Sequence, residues 1–180
     1  PVLQTLPYSL NGYCNVHYDS KKFAEAATCY DTLSTLVSDK SLLALIDYRK
    51  NMSQLKIVEE TSLIEDFSHL ENTFRNTEAG FRAAIKRNDP LFLQNKSWGL
   101  QAIENYGAIA KTANSREIRE EALFKQALVH ATLGNTTLSI DLLQKFLREF
   151  LIGDVRISAQ ALLIDLLPGE IKRLVDNKEY

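Results

Sequence analysis

Three histidines and two cysteines are the residues from which chemistry in this chain would have to be built. Catalysis needs a nucleophile, a base and a charge stabiliser that converge, and a metal needs ligands at workable spacing. His17, His69 and His130 are scattered along the sequence. His17 and His130 fall in apolar-periodic stretches and read as packing residues. His69 stands between Glu65 and Glu71 on an amphipathic stretch and reads as a solvated surface histidine. No Gly-rich phosphate loop, HExxH or CxxC is present. The expectation is a chain with no catalytic residue, no metal and no cofactor, and so not an enzyme.

The remaining chemical candidates have plainer readings. Cys14 and Cys29 are expected on facing helices, as two reduced core thiols, with a single bridge in an oxidising compartment as the alternative. Lys86-Arg87 and Arg116-Arg119 suggest acidic partners, but Glu117, Glu120 and Glu121 interleave with the second pair, so a mixed solvated face is expected. Asn51, Asn95 and Asn135 each open an N-x-S/T sequon; the first two lie in expected helices, a poor place for modification. Trp98 has Leu91, Leu100 and Ile103 nearby and is expected in the core rather than in a recognition surface.

Composition sets the frame for these residues. The 180-residue chain is 45% hydrophobic and 24% charged with a net charge of −2, ordinary for a folded protein able to bury its own core. Interspersed charge argues against nucleic-acid or polybasic membrane-surface binding. Seven Gly and four Pro are too few for a turn-rich β fold, whereas Leu, Ala, Glu, Lys and Gln favour helix. Apolar runs such as Phe150-Leu151-Ile152 are far too short to span a bilayer. The sequence starts at Pro1, which leaves an upstream anchor or signal open.

The apolar periodicity predicts about ten helices. The first runs from Tyr8 to Tyr18 and turns at Asp19-Ser20; the second covers Lys22 to Val37. Ser38-Asp39-Lys40-Ser41 caps a third from Leu42 to Val58. A Ser62-to-Glu65 capping box opens a fourth, to Arg75. Glu78 to Arg87 is the fifth, and Asp89-Pro90 starts a sixth to Lys111, weakened by Gly99 and Gly107. Asn114 with Glu117 caps the seventh, which stops at Gly134 as a left-handed cap. Asn135 or Thr136 opens the eighth, to Leu151. Gly153-Asp154 precedes the ninth, which ends at Pro168-Gly169 before a short tenth. Short connections make neighbouring helices antiparallel.

A repeat lies in the even-numbered helices. Ala26-Tyr30-Leu33, Leu63-Phe67-Leu70, Ala102-Tyr106-Ile109 and Ser139-Leu143-Phe146 share one i, i+4, i+7 spacing and recur every 37 to 39 residues. The spacing alone is generic to amphipathic helices; a near-constant period of helix pairs is the mark of a helical-hairpin solenoid.

On two units the chain resembles a tetratricopeptide-repeat (TPR) protein. One is Leu10-x2-Tyr13-Cys14-x2-His17 followed by Ala26-x3-Tyr30-x2-Leu33. The other is Leu123-x2-Gln126-Ala127-x2-His130-x3-Gly134 followed by Ser139-x3-Leu143-x2-Phe146. Cys14 and Ala127 take the family's small position, and His17 and His130 its aromatic one. Leu stands where the family has Trp, the terminal Pro is missing, and the middle repeats are three to five residues long of the family's period. The stretch from Phe23 to Ile57 also resembles bacterial membrane-anchored periplasmic TPR proteins of the ancillary-translocon type, which handle envelope proteins.

The resemblance implies an all-α fold, a superhelical array of antiparallel hairpins at 8–37, 42–75, 78–111 and 115–151 with capping helices over 154–178, all in one domain. It implies a concave face lined by the first helix of each pair. Matching positions give Tyr8, Asn11, Asn15, Tyr18, Phe124 and Leu128 as protein- or peptide-binding residues, with Lys50, Arg82 and Lys86 in the less regular middle. Asn amides would hold a peptide backbone, and Tyr8 and Phe124 would take apolar anchors. The expected function is a non-catalytic adaptor or scaffold for another protein, in the envelope or the cytoplasm. The alternative is a module that self-assembles through exposed helix faces.

Overall fold

The computed structural model describes residues 2–58, 63–94 and 96–178. Among them are nine α-helices and no strand. They are α1 (Val2–Asp19), α2 (Phe23–Ser34), α3 (Lys40–Gln54), α4 (Ile64–Thr73), α5 (Glu78–Gln94), α6 (Gly99–Thr112), α7 (Arg116–Thr132), α8 (Thr136–Glu149) and α9 (Val155–Asn177), with a single 3-10 turn at Lys96–Trp98 before α6. The chain divides into two compact units, Pro1–Leu91 and Phe92–Tyr180, so the expected hairpin 78–111 contains the boundary. Helices adjacent in sequence pack together: α1 to α4 in the first unit, α6 to α9 in the second, where α9 also touches α7.

The repeat spacing marks the core. All twelve residues of the four i, i+4, i+7 sets are buried, each no more than 5% exposed. In the first unit Cys14, Ala26, Tyr30, Leu33, Leu42 and Ile46 form one cluster; Ala44, Leu63, Phe67, Leu70, Phe74, Ala79 and Ala83 form another. In the second, Leu123, Ala127, Leu143, Phe146, Phe150 and Ala159 are buried together. Small residues let helices approach. Ser139 on α8 donates its hydroxyl to the carbonyl of Ala127 on α7 at 2.8 Å. Gly107 on α6, expected only to weaken its helix, stands where a Cβ would meet the Gln126 amide at 2.7 Å.

The turns after α1 and α7 are built alike. After α1 the amide of Lys22 donates to His17 O and that of Lys21 to Tyr18 O; after α7, Asn135 donates to His130 O and Gly134 to Ala131 O. The residue at the turn is left-handed in both, Lys21 at φ 60° and Gly134 at φ 81°. Glycine adopts that conformation freely and lysine pays a steric cost there. Equivalent carbonyls are thus satisfied by equivalent amides at both helix ends.

Several boundaries move. Asp89-Pro90 does not start a helix, because α5 runs through it to Gln94. The burial of Ala83, Ala84, Ile85 and Asn88 fixes the helix axis upstream and outweighs the one hydrogen bond that proline forfeits. Pro168-Gly169 likewise fails to end α9. Pro168 is exposed, so the carbonyl it frees on that side faces water. Just beyond it, buried Glu170 accepts from Thr137 Oγ1 at 2.7 Å and from Arg173 at 3.0 Å, tying the last turns to the start of α8. The tenth helix is therefore the end of the ninth. Ser115, not Asn114, caps α7, accepting from the Ile118 amide; Asp39 caps α3 as expected, accepting from Leu42 N at 2.7 Å. The Ser62 capping box lies outside the described residues.

Two readings of single residues are overturned. Cys14 and Cys29 are joined in a disulfide between α1 and α2, their Cα atoms 5.5 Å apart, rather than standing as reduced thiols. Two small side chains at a close helix crossing bring the sulfurs within reach, which helical period alone did not reveal. Trp98 is 46% exposed and Leu100 69%. Because α5 continues to Gln94 and α6 starts at Gly99, Trp98 falls in the 3-10 turn ahead of α6 and leaves the apolar stripe.

Candidate interaction groove

In the first unit a groove of about 790 Å³ runs between the end of α1, one face of α3 and the start of α5. Tyr18 closes one side. Along α3, Leu45, Tyr48, Arg49 and Met52 form its floor, and Glu78 and Arg82 on α5 form the other wall. α3 supplies the floor because that helix has two apolar stripes. Leu42 and Ile46 are buried in one cluster, while Ala44, Tyr48 and Met52, a turn apart from one another, pack into the other and border the groove together with Leu45, which is 40% exposed.

The groove is apolar at its centre and cationic at its edges. Arg82 reaches Glu78 one turn away through Nε at 3.0 Å and Nη2 at 2.9 Å. That is an exposed i, i+4 pair, weak enough to be exchanged for a ligand carboxylate. Arg49 stands beside the Tyr30 hydroxyl, whose pKa burial pushes up and Arg49 pulls partly back. The lining carries two guanidiniums, Arg49 and Arg82, and one carboxylate, Glu78. Guanidinium forks match carboxylates, and a methionine adapts to varied apolar shapes.

The expected binding residues are placed as follows. Tyr18 lines the groove, half-buried and edge-on to Phe23 at 5.4 Å. Tyr8 is exposed and Asn11 half-buried, its Oδ1 covered without a partner. Asn15 is not a free amide: its Oδ1 accepts from the buried Tyr30 hydroxyl at 2.6 Å, so it ties α1 to α2. Phe124 and Leu128 are on α7 in the second unit; Phe124 packs partly against the α7–α8–α9 cluster and Leu128 is 39% exposed. Arg82 lines the groove. Lys50 instead turns toward α2, 2.6 Å from Asp31, and half-buried Lys86 lies outside the lining. Leu45, Tyr48, Arg49, Met52 and Glu78 were missed. The signal for Leu45, Tyr48 and Met52 was the second stripe of α3, at i, i+3, i+7 from Leu45; Arg49 and Glu78 carried none.

Several cations elsewhere are engaged within the fold. Arg87 lies 2.8 Å from Glu71, Arg116 2.9 Å from the buried Glu120, and Arg119 and Arg156 donate to helix-end carbonyls. His69 is exposed near Thr73, while His17 packs edge-on against Tyr13 at 4.8 Å. Among the described residues no group of three or more His, Cys, Asp or Glu could hold a metal, and no helix is long and apolar enough to cross a membrane. No protein-family model matches the chain, and neither a curated protein nor a solved structure does.

Proposed function

We propose that this chain is a non-catalytic protein-interaction module of TPR-like build, its helix pairs antiparallel and stacked superhelically within each unit. In this reading the α1–α3–α5 groove holds an extended segment of a partner protein. The observation that carries it is the groove itself, an open, largely apolar channel lined by α1, α3 and α5, with Arg49 and Arg82 in its lining. The matching turns after α1 and α7 support the repeat architecture. The lining selects a segment with an apolar side chain, seated among Leu45, Tyr48 and Met52, next to a carboxylate for the guanidiniums. The Cys14–Cys29 bridge supports an oxidising compartment, in keeping with a role among envelope proteins.

Selection from a displayed random-peptide library tests this. Recovered peptides should pair an aliphatic or aromatic residue with Asp or Glu. Leu45→Glu, at a position exposed in the groove, should weaken them at least tenfold while leaving stability within about 0.5 kcal/mol. Peptides without acidic residues, or binding indifferent to Leu45→Glu, would remove the groove from the account.

A further inference from the structure

α9 carries two apolar faces, and only one is used inside the molecule. Val155, Ala159, Leu162, Leu163 and Leu166 face the α7–α8 cluster. On the opposite side Ile157, Ala161, Ile164, Pro168, Ile171 and Val175 are all exposed, the three isoleucines by 75, 66 and 57% and Val175 by 57%. Their spacing alternates four and three residues along five turns of helix. That is the seam of a two-helix coil, with Ile157, Ile164 and Ile171 at one heptad position and Ala161, Pro168 and Val175 at the other. An amphipathic helix docked once on a core has no reason to repeat apolar residues on its solvent side with that period.

We infer that this seam joins two copies of the chain, α9 against α9, antiparallel about a two-fold axis beside Leu166. The stripe is its own complement in that orientation. The axis sets Ile157 against Val175 of the second copy, Ala161 against Ile171 and Ile164 against Pro168. Every layer pairs a larger residue with a smaller one, and the seam ends together on both helices. A two-fold contact uses the same patch twice, and this patch satisfies that condition. The parallel alternative stacks Ala161 on Ala161 and Pro168 on Pro168, leaving gaps between layers of paired isoleucines.

The flanks add a signature. Ser158, Asp165 and Lys172 border one side of the seam and all are exposed. In the antiparallel pair Asp165 meets Asp165 of the second copy across the axis, whereas in a parallel pair it faces Gln160. One helix pair is a small interface, below roughly 1,200 Å². The dimer is therefore expected to be weak and concentration-dependent, opposed by its own aspartates.

Analytical ultracentrifugation of the full chain over a range of concentrations tests this, together with spin-label distances from Ser158→Cys. The expected result is a monomer–dimer equilibrium that Asp165→Asn tightens several-fold. Ile164→Glu, and separately Ile157→Glu, should abolish it with helicity and melting temperature retained. The labels should lie about 24 Å or more apart, from 1.5 Å of rise per residue. A monomer at every concentration, a dimer indifferent to both glutamates, or labels in near contact would overturn the inference. So would co-sedimentation of wild-type monomer with neutral phospholipid vesicles, lost in Ile164→Glu, which would assign the stripe to a lipid surface.

Discussion

Removing the Asn15 side chain should now cost stability that a surface residue would not. Tyr30 is fully buried at the centre of the α1–α2 cluster, and its hydroxyl donates to Asn15 Oδ1 at 2.6 Å. Asn15→Ala takes the acceptor from a hydroxyl whose residue has no exposure in the folded chain. An orphaned buried polar group costs about 1–3 kcal/mol, and the lower half applies because Asn15 is only half-buried and its truncation opens a path for water. Tyr30→Phe removes the donor and leaves Asn15, half-buried, able to find water; its cost is about 0.5–1.5 kcal/mol. Asn15→Ala made in the Tyr30→Phe background should then cost little. The assay is urea unfolding of the four proteins, read as midpoints at constant slope. A coupling of about 1 kcal/mol is expected. Costs that add within about 0.3 kcal/mol would show that the bond is not made, and would return Asn15 to the list of free amides.

Other outcomes follow from the same packing. Reducing the Cys14–Cys29 bridge, which closes a loop of 15 residues, should cost about 3 kcal/mol, or roughly 6–12 °C in calorimetry. Ala26→Leu places extra volume at a position with no exposure and should cost about 1–3 kcal/mol, while exposed Lys21→Gly should gain about 1 kcal/mol by relieving its left-handed backbone. Burial holds the His130 pKa below its ordinary 6.5, with Nδ1 unpartnered, so the folded state favours neutral imidazole. Its stabilisation is full above pH 6.5 and is lost as pH falls from there through the folded value; thermal melts of His130→Phe should be flatter than wild type in that window.

What could be read beforehand was what period controls. The i, i+4, i+7 sets located the buried faces of α2, α4, α6 and α8, because burial of one stripe is the strongest pressure on a helix sequence. Gly134 was readable as a left-handed cap for a local reason. Lys21, in the same turn, carried no such mark, since lysine is tolerated there only through the hydrogen bonds around it. Prolines misled twice, at Pro90 and Pro168, where burial of neighbouring residues holds the helix together across a missing donor. The groove was only partly legible: Tyr18 and Arg82 line it, but its floor comes from a second apolar stripe on α3 that the repeat spacing, confined to the even-numbered helices, did not mark. Asn15 and Lys50 were read as reaching outward, and each is held by a residue of α2 that sequence spacing could not place beside it.

Met52 is the only methionine in the chain and lies on the floor of the groove. Protein labelled with ¹³C at the methionine methyl therefore gives one resonance, placed where a partner segment would lie. Titration with a selected apolar–acidic peptide should shift that resonance saturably, in step with the binding isotherm and without effect on Leu45→Glu. A peptide that binds the wild type while the Met52 signal stays where it was would contradict the groove as the recognition site.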